Sequence, residues 1–238
     1  MAKVLSNDAG VFLGGYNLGL GGQNVRVSAA FSPMETTDLD STEVTNVLSL
    51  GRTEITYDGL WDGASGGNVQ GLRVLLGGTA VEEFGLQLGS TEGDKAVAAR
   101  VFTAGFTTSP TGGELVPLAG VLATDGLPDY GRIALPKVSK DADYTSATID
   151  GINDGASSGS TAGFIWSYHV LSISGTWSVI LQHSSSATGL GNLDSVTGIT
   201  AIGAARRTSS SAMKRYTAIK LDETSSGSIV ALAIMKRL

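Results

Sequence analysis

Cysteine is absent from the 238 residues, which excludes disulfides, thiolate metal sites and cysteine nucleophiles. Histidine is almost absent: only His169 and His183 occur, each inside an apolar-patterned run. His183 and Ser184 are sequence neighbours, but adjacent strand residues point to opposite faces, so they are badly placed to act as base and nucleophile. Proline numbers 5, aromatic residues make up 6%, and charged residues make up only 16%, against about a quarter in ordinary soluble domains. No run approaches about 18 consecutive apolar residues, and the opening Met1-Ala2-Lys3-Val4 carries no apolar signal core. The expectation is a chain made in a cytoplasm, with no membrane partner.

Apolar residues reach 42%, enough for a packed core and too many for intrinsic disorder. Glycine is abundant at 33 residues but shows no Gly-X-Y period. The formal charge is −6, so gripping DNA through its phosphates, which needs clustered Lys and Arg, is not expected.

Short apolar runs separated by Gly, Ser, Asn and Asp recur at residues 11–13, 24–31, 52–61, 72–76, 97–106, 164–173, 176–183, 214–221 and 229–235. Several alternate with period two. Thr53, Ile55 and Tyr57 oppose Arg52, Glu54 and Thr56, and Trp177, Val179 and Leu181 oppose Ser178, Ile180 and Gln182. That period marks strands with one buried face. Asp58-Gly59, Asp62-Gly63, Asp125-Gly126 and Asp154-Gly155 read as turns. Helix signals are confined to residues 40–50 and, ambiguously, 93–99. The expected fold is therefore all-β, a sandwich or barrel with at most one or two short helices, in a single domain spanning residues 1–238. Long loops are expected near 33–50 and 139–163, the second long enough to suggest a segment that contacts a partner.

No catalytic constellation emerges. The glycine-rich stretch Gly14-Gly15-Tyr16-Asn17-Leu18-Gly19-Leu20-Gly21-Gly22 lacks the Lys-Ser/Thr of a phosphate loop and reads better as a turn between strands. Carboxylates gather at Glu35, Asp38, Asp40 and Glu43, and again at Asp141, Asp143, Asp150 and Asp154. Neither group completes a calcium-loop pattern, so solvated acidic loops are expected and no metal or cofactor is implied. Glu82 and Glu83 are neighbours and diverge on a strand. Arg206, Arg207, Lys214 and Arg215, with Lys236 and Arg237, are the basic clusters. They read either as solvated strand ends or as a basic complement to the acidic loops of a neighbouring copy.

Several of these segments together resemble a known family. They are Leu13-Gly14-Gly15-Tyr16-Asn17-Leu18, Asn24-Val25-Arg26-Val27-Ser28, Thr36-Thr37-Asp38, Gly59-Leu60-Trp61-Asp62, Trp177-Ser178-Val179-Ile180-Leu181-Gln182-His183-Ser184 and Lys214-Arg215-Tyr216. In this order and spacing they resemble the major tail, or tail tube, proteins of long-tailed bacteriophages. The resemblance implies a virion structural protein made in the host bacterial cytoplasm, a tail subunit with no enzymatic activity. Its partners would be copies of itself, in rings stacked into a hollow tube, and other phage tail proteins; DNA would only pass through the lumen. Glu35, Thr36, Thr37, Asp38, Asp40 and Glu43 would form one inter-subunit contact loop, and Asp141, Asp143, Asp150 and Asp154 a second. Two other classes stay open. One is a capsid decoration or head-surface protein. The other is a jelly-roll glycan-binding module, which the Trp-x-Val-x-Leu-Gln-x-Ser pattern also resembles and which would need exposed aromatic platforms. Trp61, Trp166 and Trp177 all fall in apolar runs, so core positions are expected for them.

Overall fold

The computed structural model describes residues 9–20, 22–30, 33–35, 46–48, 52–61, 72, 81–109, 116–150 and 163–238. Through these residues the chain is all-β, with a short 3-10 turn at Leu18–Leu20. The strands are β1 (Gly10–Leu13), β2 (Tyr16–Asn17), β3 (Gly22–Ala30), β4 (Pro33–Glu35), β5 (Asn46–Leu48), β6 (Arg52–Leu60), β7 (Glu82–Gln87), β8 (Lys95–Thr108) and β9 (Pro117–Thr124). They continue with β10 (Asp129–Lys140), β11 (Tyr144–Thr145), β12 (Ile149–Asp150), β13 (Phe164–Ile173), β14 (Thr176–Ser184), β15 (Gly191–Ile199), β16 (Gly203–Ser209), β17 (Tyr216–Ser225) and β18 (Ile229–Arg237).

One large sheet runs in the order β16-β13-β18-β10-β8-β7-β1-β2. The first half of β8 pairs with β7 and β10, while its second half pairs with β9, which leads on to β6 and β3. The change of partner coincides with a register shift between Thr103 and Gly105, where Gly105 takes φ +151°. An extra residue there bends the strand, and glycine supplies the backbone freedom the bend requires. A second sheet, β11-β17-β14-β15 with β12 also on β17, covers one face of the β13-β18-β10 region. Among the described residues, strands β4 and β5 pair only with each other.

Two large apolar clusters result. Phe164, Trp166, Tyr168 and Val170 of β13 meet Trp177, Val179 and Leu181 of β14, with Ile219 and Leu221 of β17. Leu13, Phe84, Leu86, Val97, Ala99 and Val101 meet Ile55, Tyr57, Leu118 and Leu122 across the other lobe. Between them Ala96, Ala98, Ile133 and Ile234 form a smaller cluster on the opposite face of β8.

The alternation of Thr53, Ile55 and Tyr57 holds, with all three buried and Glu54 exposed. Strand β14 departs from it: Ser178 and Ile180 are buried as well as Trp177, Val179 and Leu181, because this central strand is covered on both faces. Gly14 and Gly15, at φ +53° and +88°, form the two-residue turn between β1 and β2, as the glycine-rich stretch suggested. Asp125-Gly126 is a turn, whereas Asp58-Gly59 lies within β6; Asp62-Gly63 and Asp154-Gly155 fall outside the described residues. Residues 95–99, read ambiguously as helix, are strand. The two expected loops are partly ordered as strands: 33–50 begins and ends in β4 and β5, and 139–163 contributes the end of β10, then β11 and β12 against β17. The pairing partners are remote in sequence, so local composition did not reveal them.

Candidate functional site

The acidic and basic residues singled out by sequence are distributed by strand register. Asp150 ends β12 opposite Tyr216 of β17, and this brings Arg215 alongside it. Arg215 Nε and Nη2 donate to the two Asp150 carboxylate oxygens at 2.7 Å each, and the guanidinium lies 4.9 Å from the Tyr216 ring centroid. Arg207 faces Trp166 across the β13–β16 ladder. Its Nε and Nη2 donate to Asp194 of β15 at 2.7 and 2.9 Å, and Trp166 Nε1 donates to the same carboxylate at 2.9 Å. Burial pushes the Asp194 carboxyl up, but hydrogen bonds from Arg207, Trp166 and the Ser195 amide outweigh it and hold the group below its ordinary range. Arg206 projects to the other side of β16 and pairs with Asp129, which also takes Lys236 Nζ at 3.2 Å.

Three of the four residues expected to complement a neighbour's acidic loops, Arg206, Arg207 and Arg215, are therefore already paired within the chain. The sequence could not show this, because each partner is at least 13 residues away and meets its arginine only through strand pairing. Lys214 is exposed, and its backbone amide donates to His183 Nδ1 at 3.2 Å. Asp141 is exposed in the turn after β10, and Asp143 accepts the Glu223 amide at 2.7 Å. Glu35 ends β4 opposite Asn46. Thr36, Thr37, Asp38, Asp40, Glu43 and Asp154 lie outside the described residues.

The sheet margins are the other candidate contact surfaces. Strand β3 pairs only with β6 and β15 only with β14, so each presents one unpaired backbone edge among the described residues. Exposed apolar side chains collect along β8 and the β9–β10 turn: Phe102, Leu127 and Tyr130, the last 60% exposed. Trp166 and Trp177 are fully buried as expected, but Trp61, at the end of β6, is 45% exposed, which corrects the core position read for it. No group of three or more His, Cys, Asp or Glu side chains suited to a metal ion is present among the described residues.

Glu83, read from sequence only as a diverging neighbour of Glu82, and His169, read only as a histidine in an apolar run, are made unusual by the fold. Along β7, Phe84 and Leu86 face the core of one lobe while Glu83, Gly85 and Gln87 face β13 and its neighbours. Gln87 is satisfied by the Leu135 carbonyl at 3.0 Å, whereas Glu83 Oε1 and both His169 ring nitrogens are buried without a hydrogen-bond partner. The run 81–88 carries Glu82, Glu83 and Gln87 among its apolar residues, and its pattern does not single out Glu83.

No protein-family model matches the chain, and no curated protein does. Among solved structures, the tail of an empty gene transfer agent particle, refined with C6 helical symmetry, aligns at 15% identity and a TM-score of 0.37, over 46% of this chain and 81% of that one. The virion of a native gene transfer agent particle aligns at 15% identity and a TM-score of 0.37, over 46% and 84%. The SPP1 Dit protein, described as a paradigm of the hub adsorption apparatus in phages infecting Gram-positive hosts, aligns at 11% identity and a TM-score of 0.36, over 96% and 99%.

Proposed function

We propose that this chain is a virion structural protein, a tail tube subunit that assembles into stacked rings around a bore through which DNA passes. The observation that carries the reading is the β4–β5 hairpin, which among the described residues has no ladder to either main sheet. A two-stranded hairpin alone is marginally stable in water and needs a surface to order against. A neighbouring copy supplies one, and the acidic Thr-rich segment 36–45 between these strands is the first contact loop of the proposal. The exposed margins of β3 and β15 support it, since long unpaired edges invite pairing with another chain. Head-to-tail contacts that close give a ring, and a second, open interface stacks rings into a tube.

Asp141 and Asp143, toward the opposite end of β17 from the ion-paired Asp150, serve as a second contact region, with Lys214 the exposed member of the basic complement. The large sheet runs without a break past both apolar clusters, which supports residues 1–238 acting as one unit. The net charge of −6 suits a bore that repels phosphates and does not bind DNA specifically. The role requires no cofactor, catalysis or membrane. Its location is the virion tail, alongside other tail proteins, after synthesis in the host bacterial cytoplasm. The exposed aromatics Trp61, Phe102 and Tyr130 are on the side of a glycan-binding module, and a glycan array reads that alternative directly.

Electron microscopy of the purified full chain beside a variant lacking residues 36–41 tests the proposal. The full chain is expected to form hollow tubes and the deletion to remain folded but unpolymerised. Normal tubes from the deletion variant would remove the hairpin from the interface.

A further inference from the structure

The large sheet curls until its ends meet, but the closure is not made by backbone hydrogen bonds. Its path ends at β16 on one side and β2 on the other, and no ladder among the described residues joins β7 or β2 to β13 or β16. The ends touch closely all the same. A Cβ on Gly15 would lie 2.5 Å from the Gly203 amide nitrogen and 2.9 Å from the Val170 carbonyl oxygen. A Cβ on Gly85 would lie 2.8 Å from His169 Nε2, and the Phe12 ring sits 6.1 Å from the His169 ring, centroid to centroid. The seam is thus a line of side-chain contacts between β1, β2 and β7 on one side and β13 and β16 on the other.

That line is poorly satisfied. Glu83 Oε1, Ser167 Oγ, Arg206 Nε and both His169 ring nitrogens are buried without hydrogen-bond partners. Glu83 is faced by Arg206 from β16, Asp129 from β10, Arg100 from β8 and Ser167 from β13. Arg206 is shared with Asp129, which also holds Lys236 of β18, and is the strongest of the groups that favour the Glu83 charge, ahead of Ser167 and Arg100, yet the cost of burial is larger. Burial accordingly outweighs the arginines and pushes the Glu83 carboxyl up to about 8. His169 is surrounded by Phe12, Gly85 and Ile234, and burial alone drives it down to about 3. Both groups are held neutral, and each would regain its ordinary ionisation if the seam opened. A cleft of about 280 Å³ lined by Val81, Glu82, Glu83, Arg100, Arg206 and Thr208 admits solvent at one end of the line.

We propose that this seam is a proton-held latch, shut while Glu83 is protonated and His169 neutral, and released when either group takes its charge. The Glu83 contribution to the opening equilibrium then rises as pH climbs between 4.5 and about 8, approaching tenfold per pH unit, since the open form loses the Glu83 proton first. The His169 contribution rises on acidification from 6.5 toward 3, since the open form protonates His169 first, so the two offset each other between 4.5 and 6.5 and the net rise with pH lies above 6.5. The absence of native cysteine provides a clean probe. Ser167→Cys places a single thiol in the seam, and Thr217→Cys places one in the sandwich, where Thr217 is fully buried. Thiol-labelling rates are measured between pH 6 and 8 and divided by those of a free thiol at the same pH. The seam thiol is expected to label faster with each pH unit, by up to about tenfold. Adding Glu83→Gln should abolish the rise, leaving only the shallow decline from pH 6 to 7 that His169 contributes, and the Thr217→Cys thiol should stay protected throughout. If Ser167→Cys does not fold, Ile165→Cys on the same face of β13 carries the probe. A seam thiol as protected as the sandwich thiol at every pH, or a rise that survives Glu83→Gln, would overturn the latch.

Discussion

Replacing His169 by leucine and Glu83 by glutamine, singly and together, should tilt the pH dependence of stability in opposite directions. Folded His169 resists protonation down to about 3, whereas the unfolded chain protonates it near 6.5. Its contribution is therefore complete above pH 6.5 and is lost as pH falls, by about 2 kcal/mol between pH 7 and 5. Folded Glu83 keeps its proton up to about 8, whereas the unfolded chain releases it near 4.5. Its contribution is complete below pH 4.5 and is lost as pH rises, again by about 2 kcal/mol between pH 5 and 7. The two slopes oppose each other across the same seam, so the wild-type chain should show a nearly level profile between pH 5 and 7. His169→Leu leaves only the Glu83 slope, and stability should rise by about 2 kcal/mol on going from pH 7 to 5. Glu83→Gln leaves only the His169 slope and should fall by about the same amount. The double variant should be level again. Urea unfolding at pH 5, 6 and 7 with a constant m-value reads these slopes, and the level offsets due to repacking drop out of the comparison. Single variants whose profiles run parallel to the wild type would refute the burial of both groups as ionisable neutrals.

Gly85→Ala places a methyl 2.8 Å from His169 Nε2 and 3.3 Å from Ile234 Cδ1, and should cost about 1–3 kcal/mol in urea unfolding through overpacking. Asp194→Ala strands the buried Trp166 indole N–H and should cost about 1–3 kcal/mol. Arg207→Ala removes a side chain 44% exposed from the same carboxylate and should cost under about 1 kcal/mol. The two substitutions compared by thermal or urea unfolding show whether Asp194 acts through the tryptophan or through the arginine.

The strands were legible where apolar residues alternate, as at Ile55 and Tyr57, and where paired glycines mark a turn, as at Gly14 and Gly15. The apolar face of β14 was legible too, but burial of its second face depends on what the sheet packs against, and Ser178 and Ile180 carry no sign of it. The short strands β11 and β12 exist only because β17 offers an edge some 65 residues or more away, so polar composition read them as loop. The same long-range register decided the charged residues. Arg206 and Arg207 looked like one basic patch, yet strand alternation sends one to Asp129 in the seam and the other to Asp194 beside Trp166. Glu83 was legible as a strand neighbour pointing away from Glu82, and only the curl of the sheet buries it.

The account depends on this chain being an assembling component whose hairpin and sheet margins are completed by other copies. Negative-stain electron microscopy of the purified, concentrated full chain measures that most directly. Rings stacked into hollow tubes are the predicted result. Dispersed single particles at every concentration would contradict it.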